Sequence, residues 1–523
     1  MKAILDLAIP ELYERNAFRL LEVPVEATER DLAKRQQTME VAARNKLAVP
    51  PGPGRLMPRT PPPDEHEIRE AAQAIQDAER RLAHEFFWFW PLAPGGATND
   101  PALRLLQTGQ IAQAEARWRG SERTPDEAPA AKHNLALLHH FSALALEQSL
   151  LNGKAAGSPV GDESARVAEA ERYWVEAYRY WGLTTADQSC WSRVVARIRA
   201  LEDPSLTTGA ARRMEGRLPV TLVLINARLA IRALQNQKPA HAQRHVARIR
   251  ASGLPTAAVD EALRSAIEPA RSAIKTLCET AKREADADPI KADKITERLL
   301  EQSAPHLALL ALLLPEAHPS RDAEFDQVAL AAQSCAIDYG NKTENWALTV
   351  SFFNRFAPLA ASTAAKERIA KNQKTVQENY QDSLCWFCGT NPADPKCVQE
   401  VPMHGDVQRI PIPNGVRTTW RHLKVQVPRC SACQSATTRQ NNRNLGRFFG
   451  CVGGLGLWLF CGVNDYPVLG FSLGLALIVG VFVLAHKHAK KHEQPGVKRR
   501  ATNDYTRIKN LLSEGWKFGD KPQ

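Results

Sequence analysis

The pattern that dominates this chain is helical. Between 100 and 380 apolar residues return every three or four positions among abundant alanines, with little of the alternation that marks strands. Helices are predicted over 162–182, 186–202, 208–235, 239–251, 256–285, 290–313, 322–338 and 343–380. Within Glu171–Trp181, Trp174, Tyr178 and Trp181 fall at i, i+4 and i+7, which reads first as a core stripe. Further toward the N-terminus, a short helix carries Ala17, Phe18 and Leu21 and ends at Val23-Pro24. Thr28-x-x-Asp31 then caps a longer helix with Leu32, Met39 and Ala43 on one face. After a Pro-rich loop, 49–63, Asp64 and Glu67 cap another helix, whose stripe runs Ile68, Ala72, Ile75, Ala78, Leu82 and Phe86. His84–Pro91 packs five aromatics into eight residues and is expected to be core between this module and the next.

The period changes twice downstream. Val401 to Ile412 alternates loosely and Thr418–Pro428 more clearly, so two strands are expected. From Phe448 to Ala485 the chain is apolar, broken only by Asn464, Asp465 and Tyr466-Pro467. Two membrane helices, 448–463 and 467–485, follow from that run, joined by a short link into a hairpin. Glycines 450, 453, 454, 456, 470, 474 and 480 let such helices pack closely and permit a homo-oligomer through the hairpin. In the tail, Ile508, Leu511, Leu512 and Trp516 recur at i, i+3, i+4 and i+8. That amphipathic stretch suits either a bilayer surface or a place on the strand region.

Charge sharpens the membrane reading. The formal net charge is +11, but residues 439–500 carry nine Lys/Arg against two acids, a net of +7. The rest of the chain is therefore close to neutral, which argues against a nucleic-acid binder. Arg439, Arg443 and Arg447 precede the apolar run, and Lys487, Lys490, Lys491, Lys498, Arg499 and Arg500 follow it, while the link has no Lys or Arg. The positive-inside rule then places both termini in the cytoplasm, at the cytoplasmic membrane. No signal peptide is expected, because Met1 to Pro10 is too short and contains Asp6.

Most of the ten cysteines lie between 385 and 461. Cys385-x-x-Cys388 and Cys430-x-x-Cys433, 41 residues apart, form a CxxC…CxxC pair, and two thiolates on each of two tight turns complete a tetrahedral shell. With strands between the knuckles, this resembles a zinc ribbon holding structural Zn2+. Cys397, His404 and His422 are spare, Cys451 and Cys461 lie in the membrane run, and Cys190, Cys278 and Cys335 are expected as buried apolar groups. His133, His139 and His140 sit on an apolar helix, with the adjacent pair on different faces, so they are not read as a metal site.

The N-terminal residues resemble a J-domain, the co-chaperone module. Asn16–Arg35 looks like its opening helix, turn and second helix, and Asp77–Glu85 like the start of its last helix. The likeness covers roughly 13–90 and departs at one decisive place: the His-Pro-Asp triplet between the long helices is absent, and Pro/Gly sequence stands there. Because that triplet carries stimulation of the heat-shock ATPase, the resemblance implies a degenerate J-like domain used for docking. Leu103–Trp118, turned at Gly109, resembles half of a tetratricopeptide unit, although no regular 34-residue register continues beyond it.

No P-loop, dinucleotide fingerprint, HExxH, GxSxG or EF-hand loop occurs, so no enzyme is expected. The expected fold is mainly α: a J-like head over 1–95, an irregular α-solenoid or helical bundle over 96–380 and a small β zinc ribbon over 381–438. A transmembrane hairpin over 445–487 and a basic cytoplasmic tail over 488–523 complete it. The expected function is that of a bacterial-style, membrane-anchored interaction scaffold for cytoplasmic protein partners. One alternative is a co-chaperone acting on a heat-shock ATPase through Lys34, Arg35, Arg44 and Lys46; another is a nucleic-acid binder using Arg409, Arg417, Arg421 and Lys424 of the ribbon. Trp88 and Trp90 are further candidates for contact with a protein partner.

Overall fold

A computed structural model describes residues 2–439 and 500–522, except 46, 98, 153–159 and 413, together with 452, 479, 480 and 483. The membrane hairpin expected over 445–487 lies outside the described residues apart from those last four positions, and so does Lys46. The described chain is mainly helical, with one antiparallel sheet of β1 (Gln399–Ile412), β2 (Gly415–Val427) and β3 (Lys517–Phe518) in the order β2-β1-β3. It divides into two compact units: Met1–Thr276 with Gln302–Glu324, and Leu277–Glu301 with Phe325–Gln523.

After the short helix Ala3–Asp6, the first unit continues with the helices Ala17–Leu21 and Glu29–Arg44. The second begins at the reciprocal cap predicted for it: the Thr28 N–H donates to Asp31 Oδ2 at 3.0 Å and the Asp31 N–H to Thr28 Oγ1 at 3.3 Å. Asp64 and Glu67 form the same box, at 2.8 and 3.0 Å. The single stripe read from Ile68 to Phe86 is, however, two helices, Glu65–Ala74 and Ala78–Phe86. Asp77 decides the break, because its carboxylate accepts the Arg80 N–H at 2.8 Å and starts a new helix there.

The Pro-rich loop is tightly held onto the end of the helix Ala17–Leu21. Glu22 ends that helix in the left-handed region at φ 52°, and its carbonyl accepts the Gly54 N–H at 2.9 Å. A Cβ on Gly54 would lie 2.1 Å from the Val23 carbonyl carbon, so only glycine permits this approach.

Phe86, Phe87, Trp88, Phe89 and Trp90 are all buried. Phe86 stacks on Trp191 at 5.5 Å, Phe89 on Trp118 at 5.6 Å, and the Trp90 ring lies 4.2 Å from His133. The aromatic run is thus core shared with the helices Ile111–Ser121, Ala128–Asn152 and Gln188–Ala200. Gly109, at φ 74°, turns the chain between Pro101–Gln107 and Ile111–Ser121. Among the described residues one helix, Gly209–Gln235, is long and apolar enough to cross a membrane, and 72% of its apolar window is buried inside the protein.

In the second unit the stretch expected as helical over 343–380 breaks into Trp346–Phe356 and Thr363–Ser383. Pro358 offers no N–H, and Ser362 caps the new start by accepting from the Ala365 N–H at 3.2 Å. Beyond it, Val401, Met403, Val425 and Val427 form the sheet's buried face. The tail covers that face. Ile508, in the helix Thr506–Ser513, is fully buried against it, and β3 adds a third strand beside Met403 and His404. Of the two places open to the amphipathic tail, the sheet is the one it takes, because a two-stranded sheet exposes an apolar face that needs a cover.

Candidate metal centre

The two Cys-x-x-Cys turns meet. The four sulfurs of Cys385, Cys388, Cys430 and Cys433 all lie within 4.8 Å of one another, and Cys388 and Cys430 are 3.9 Å apart. A tetrahedral ion with metal–sulfur bonds of about 2.3 Å places its sulfurs about 3.8 Å apart, so the cluster has the size of a four-thiolate site. The backbone imposes this arrangement. Gly389, at φ 67°, closes the first knuckle, where its N–H donates to the Cys385 carbonyl at 2.8 Å. In the second knuckle the Cys433 N–H points at Cys430 Sγ from 3.4 Å. The knuckles are tied to each other by Trp386 N–H to Pro428 O at 2.9 Å and Asp394 N–H to Arg429 O at 3.0 Å.

The electrostatics suit a thiolate ligand at Cys388 and depend on a cation at Cys385 and Cys433. Burial pushes the Cys388 thiol up, but hydrogen bonds from the Asn391 and Thr390 N–H groups outweigh it and bring the thiol down to about 6. Burial first, and hydrogen bonding among the cysteines second, push the Cys385 and Cys433 thiols up. Thiols pushed up in this way lose their protons when a metal supplies the positive charge that the protein leaves out. All four corners are cysteines, which leaves no open position for a substrate.

The spare residues are used elsewhere. Cys397 donates to Asp394 at 3.4 Å, while His404 donates to the Gly519 carbonyl at 3.0 Å and His422 pairs with Asp520 at 2.8 Å. The two histidines therefore fasten the tail to the sheet. Cys451 and Cys461 lie outside the described residues. His133 and His140 face the carbonyl of Phe86 and the hydroxyl of Tyr13, at 2.8 and 2.9 Å.

Sequence reasoning missed the residues that join the metal centre to the returning chain. Trp386 Nε1 donates to the Ala501 carbonyl at 3.0 Å, the Arg500 N–H donates to the Phe387 carbonyl at 3.2 Å, and the Arg500 guanidinium lies 5.0 Å from the Trp386 ring centre. The uncommon Trp-Phe pair inside the first knuckle was the available signal for them. Asn391, whose amide approaches Cys430 Sγ at 3.8 Å, had none.

Three of the candidate partner residues need correction. Trp88 and Trp90 are 1% and 7% exposed, so neither ring is offered to a partner. Arg35 is 7% exposed and spends its donors internally, on the carbonyls of Leu21 and Pro50 at 2.9 and 2.6 Å and on Glu22 at 2.7 Å. It staples the Pro-rich loop to the short helix instead of facing solvent. Lys34 and Arg44 are exposed.

Comparison with protein-family models, with curated proteins and with solved structures returned no match to this chain.

Proposed function

We propose that this chain is a membrane-anchored, non-catalytic interaction protein. In this reading a J-like head and tetratricopeptide-like helices meet cytoplasmic partners, and a structural Zn2+ in the four-cysteine site ties them to a two-helix membrane anchor. The observation that carries the reading is where the stretch 440–499 is attached. The chain leaves the second knuckle along a helix over 431–439, whose end lies about 9 Å along the axis from Cys433. It returns at Arg500, whose N–H is held by Phe387 in the first knuckle. Two ends fastened to one metal centre suit an apolar segment that enters and leaves the bilayer on the same side. An even number of crossings follows, in keeping with the Lys/Arg excess on both flanks.

The test is extraction of membranes from cells expressing the full chain and a variant lacking 448–485. The full chain is expected to stay in the membrane pellet at alkaline pH and the variant to become soluble. Tags at either terminus are expected to be cleaved by protease added to inside-out vesicles. A full chain recovered in the soluble fraction, or one terminus protected from protease, overturns the reading.

A further inference from the structure

We propose that the first unit holds a binding site for a small apolar carboxylate, in the cleft between the aromatic run and the helix Gln188–Ala200. The inference is independent of the membrane anchor. The cleft has a volume of about 430 Å³, within the range of small-molecule sites, and Val25, Trp90, Pro94, Ala196 and Ala200 supply its apolar walls.

Its polar groups are few, and one of its two arginines has no carboxylate bonded to it. Glu85, 1% exposed, is shared by two guanidiniums: Arg81 at 2.8 Å and Arg197 at 2.7 and 2.8 Å. Glu26 faces the loop, accepting the N–H groups of Gly95 and Ala97 at 2.6 and 3.2 Å. Arg193 lines the same cleft and forms no carboxylate pair within 4.0 Å among the described residues. Instead it donates to the carbonyls of Leu92 and Pro91 at 2.8 and 2.7 Å and sits 5.7 Å from the Trp90 ring centre. A guanidinium has five N–H bonds, so three remain for a ligand. Burial drags the Arg193 pKa down, and the charges of Glu26 and Asp100, which do not touch it, offset this only in part. Two arginines and two glutamates line the cleft, but Glu85 is bonded to Arg197 and Glu26 to backbone N–H groups, so Arg193 is the cation there with no carboxylate in hydrogen-bond contact.

An anion with an apolar body answers both features. The body replaces water against the exposed Pro94, Ala196 and Ala200, and the carboxylate takes the planar, two-pronged hydrogen bonding that guanidinium offers. A neutral amide of equal shape gains the first and lacks the second.

The test is calorimetric titration of the detergent-solubilised full chain with phenylacetate and indole-3-acetate, each against its amide. The acids are expected to bind at least about ten-fold more tightly than the amides. Ala196→Trp, at an exposed helical position, fills the cleft without disturbing the core and is expected to abolish binding of acid and amide alike. Arg193→Met is expected to reduce the acid to the affinity of its amide. Equal affinity for acid and amide, undiminished binding by Ala196→Trp, or no heat from either acid at millimolar concentration overturns the proposal. Because Ala196→Trp and the acid–amide comparison leave Arg193 intact, the test does not depend on the arginine variant folding.

Discussion

Ile508 is the side chain on which the docking of the tail turns, and Ile508→Ala measures it. The side chain is fully buried against Val401, Met403, Val425 and Val427. Trimming it to alanine removes three carbons, worth about 2.4 kcal/mol at about 0.8 kcal/mol for each buried methylene. The cavity left behind adds about 1 kcal/mol where the neighbours close in only partly. A loss of about 3–4 kcal/mol raises the opening equilibrium of the sheet roughly 150- to 700-fold. Amide hydrogen exchange reads this locally. Protection is expected to fall at 401–403 and 425–427 in the variant, while the helices Ala128–Asn152 and Gly209–Gln235 of the first unit exchange as before. Lys509→Ala, one residue along on the exposed face of the same helix, is the matched control and is expected to change nothing. If Ile508→Ala leaves exchange in β1 and β2 unaltered, the tail is not part of the sheet's core. The bilayer surface, the other place its amphipathic pattern suits, would then be its home.

Other outcomes follow from the metal centre and the buried charges. The purified chain is expected to contain one zinc per molecule by elemental analysis, and Cys430→Ser to lose it together with protection in β1 and β2; a variant that keeps both would show that the four cysteines do not form a metal site. Glu85→Ala strands Arg81 and Arg197 without their shared carboxylate and is expected to cost about 3–5 kcal/mol in denaturant unfolding of the first unit. A loss below about 1 kcal/mol would mean that the pair is effectively solvated. Burial lowers His133 and His140 to about 3, and burial with Arg80 nearby lowers His84 to about 4. These folded-state values lie below the ordinary value near 6.5, so the unfolded chain binds more protons, and stability present above that pH is lost as pH falls. Three such histidines predict a decline of about 4 kcal/mol per pH unit between about pH 6 and 4.5, and a flat melting temperature over that window would refute their neutral burial.

Much of the secondary structure and the whole candidate metal centre were legible from local pattern. The caps at Thr28 and Asp64 are bonds between residues three apart, so the chain need only form one turn of helix to make them. The four cysteines were legible because two thiolates three positions apart on a tight turn, given twice, form a complete donor set in themselves. Breaks inside helical stretches were less legible. Asp77 and Ser362 read as ordinary polar residues until the cap bonds they make declare a new start, and a stripe of apolar residues continues across Asp77 with its period unbroken.

What tertiary structure alone decided concerns partners distant in the chain. Arg35 has the pattern of a solvated basic helix face, yet its donors find carbonyls at Leu21 and Pro50 that only the folded loop brings near. Trp88 and Trp90 are aromatic wherever they lie, and it is the stacking of helices from 111 onward that puts them inside. The tail has one amphipathic face and two suitable homes. The sheet claims it because Ile508 completes a core that β1 and β2 leave open, with His404 and His422 at hand to fasten its end. Sequence pattern specifies what a residue can bury or bond, and the fold supplies the surface on which it does so.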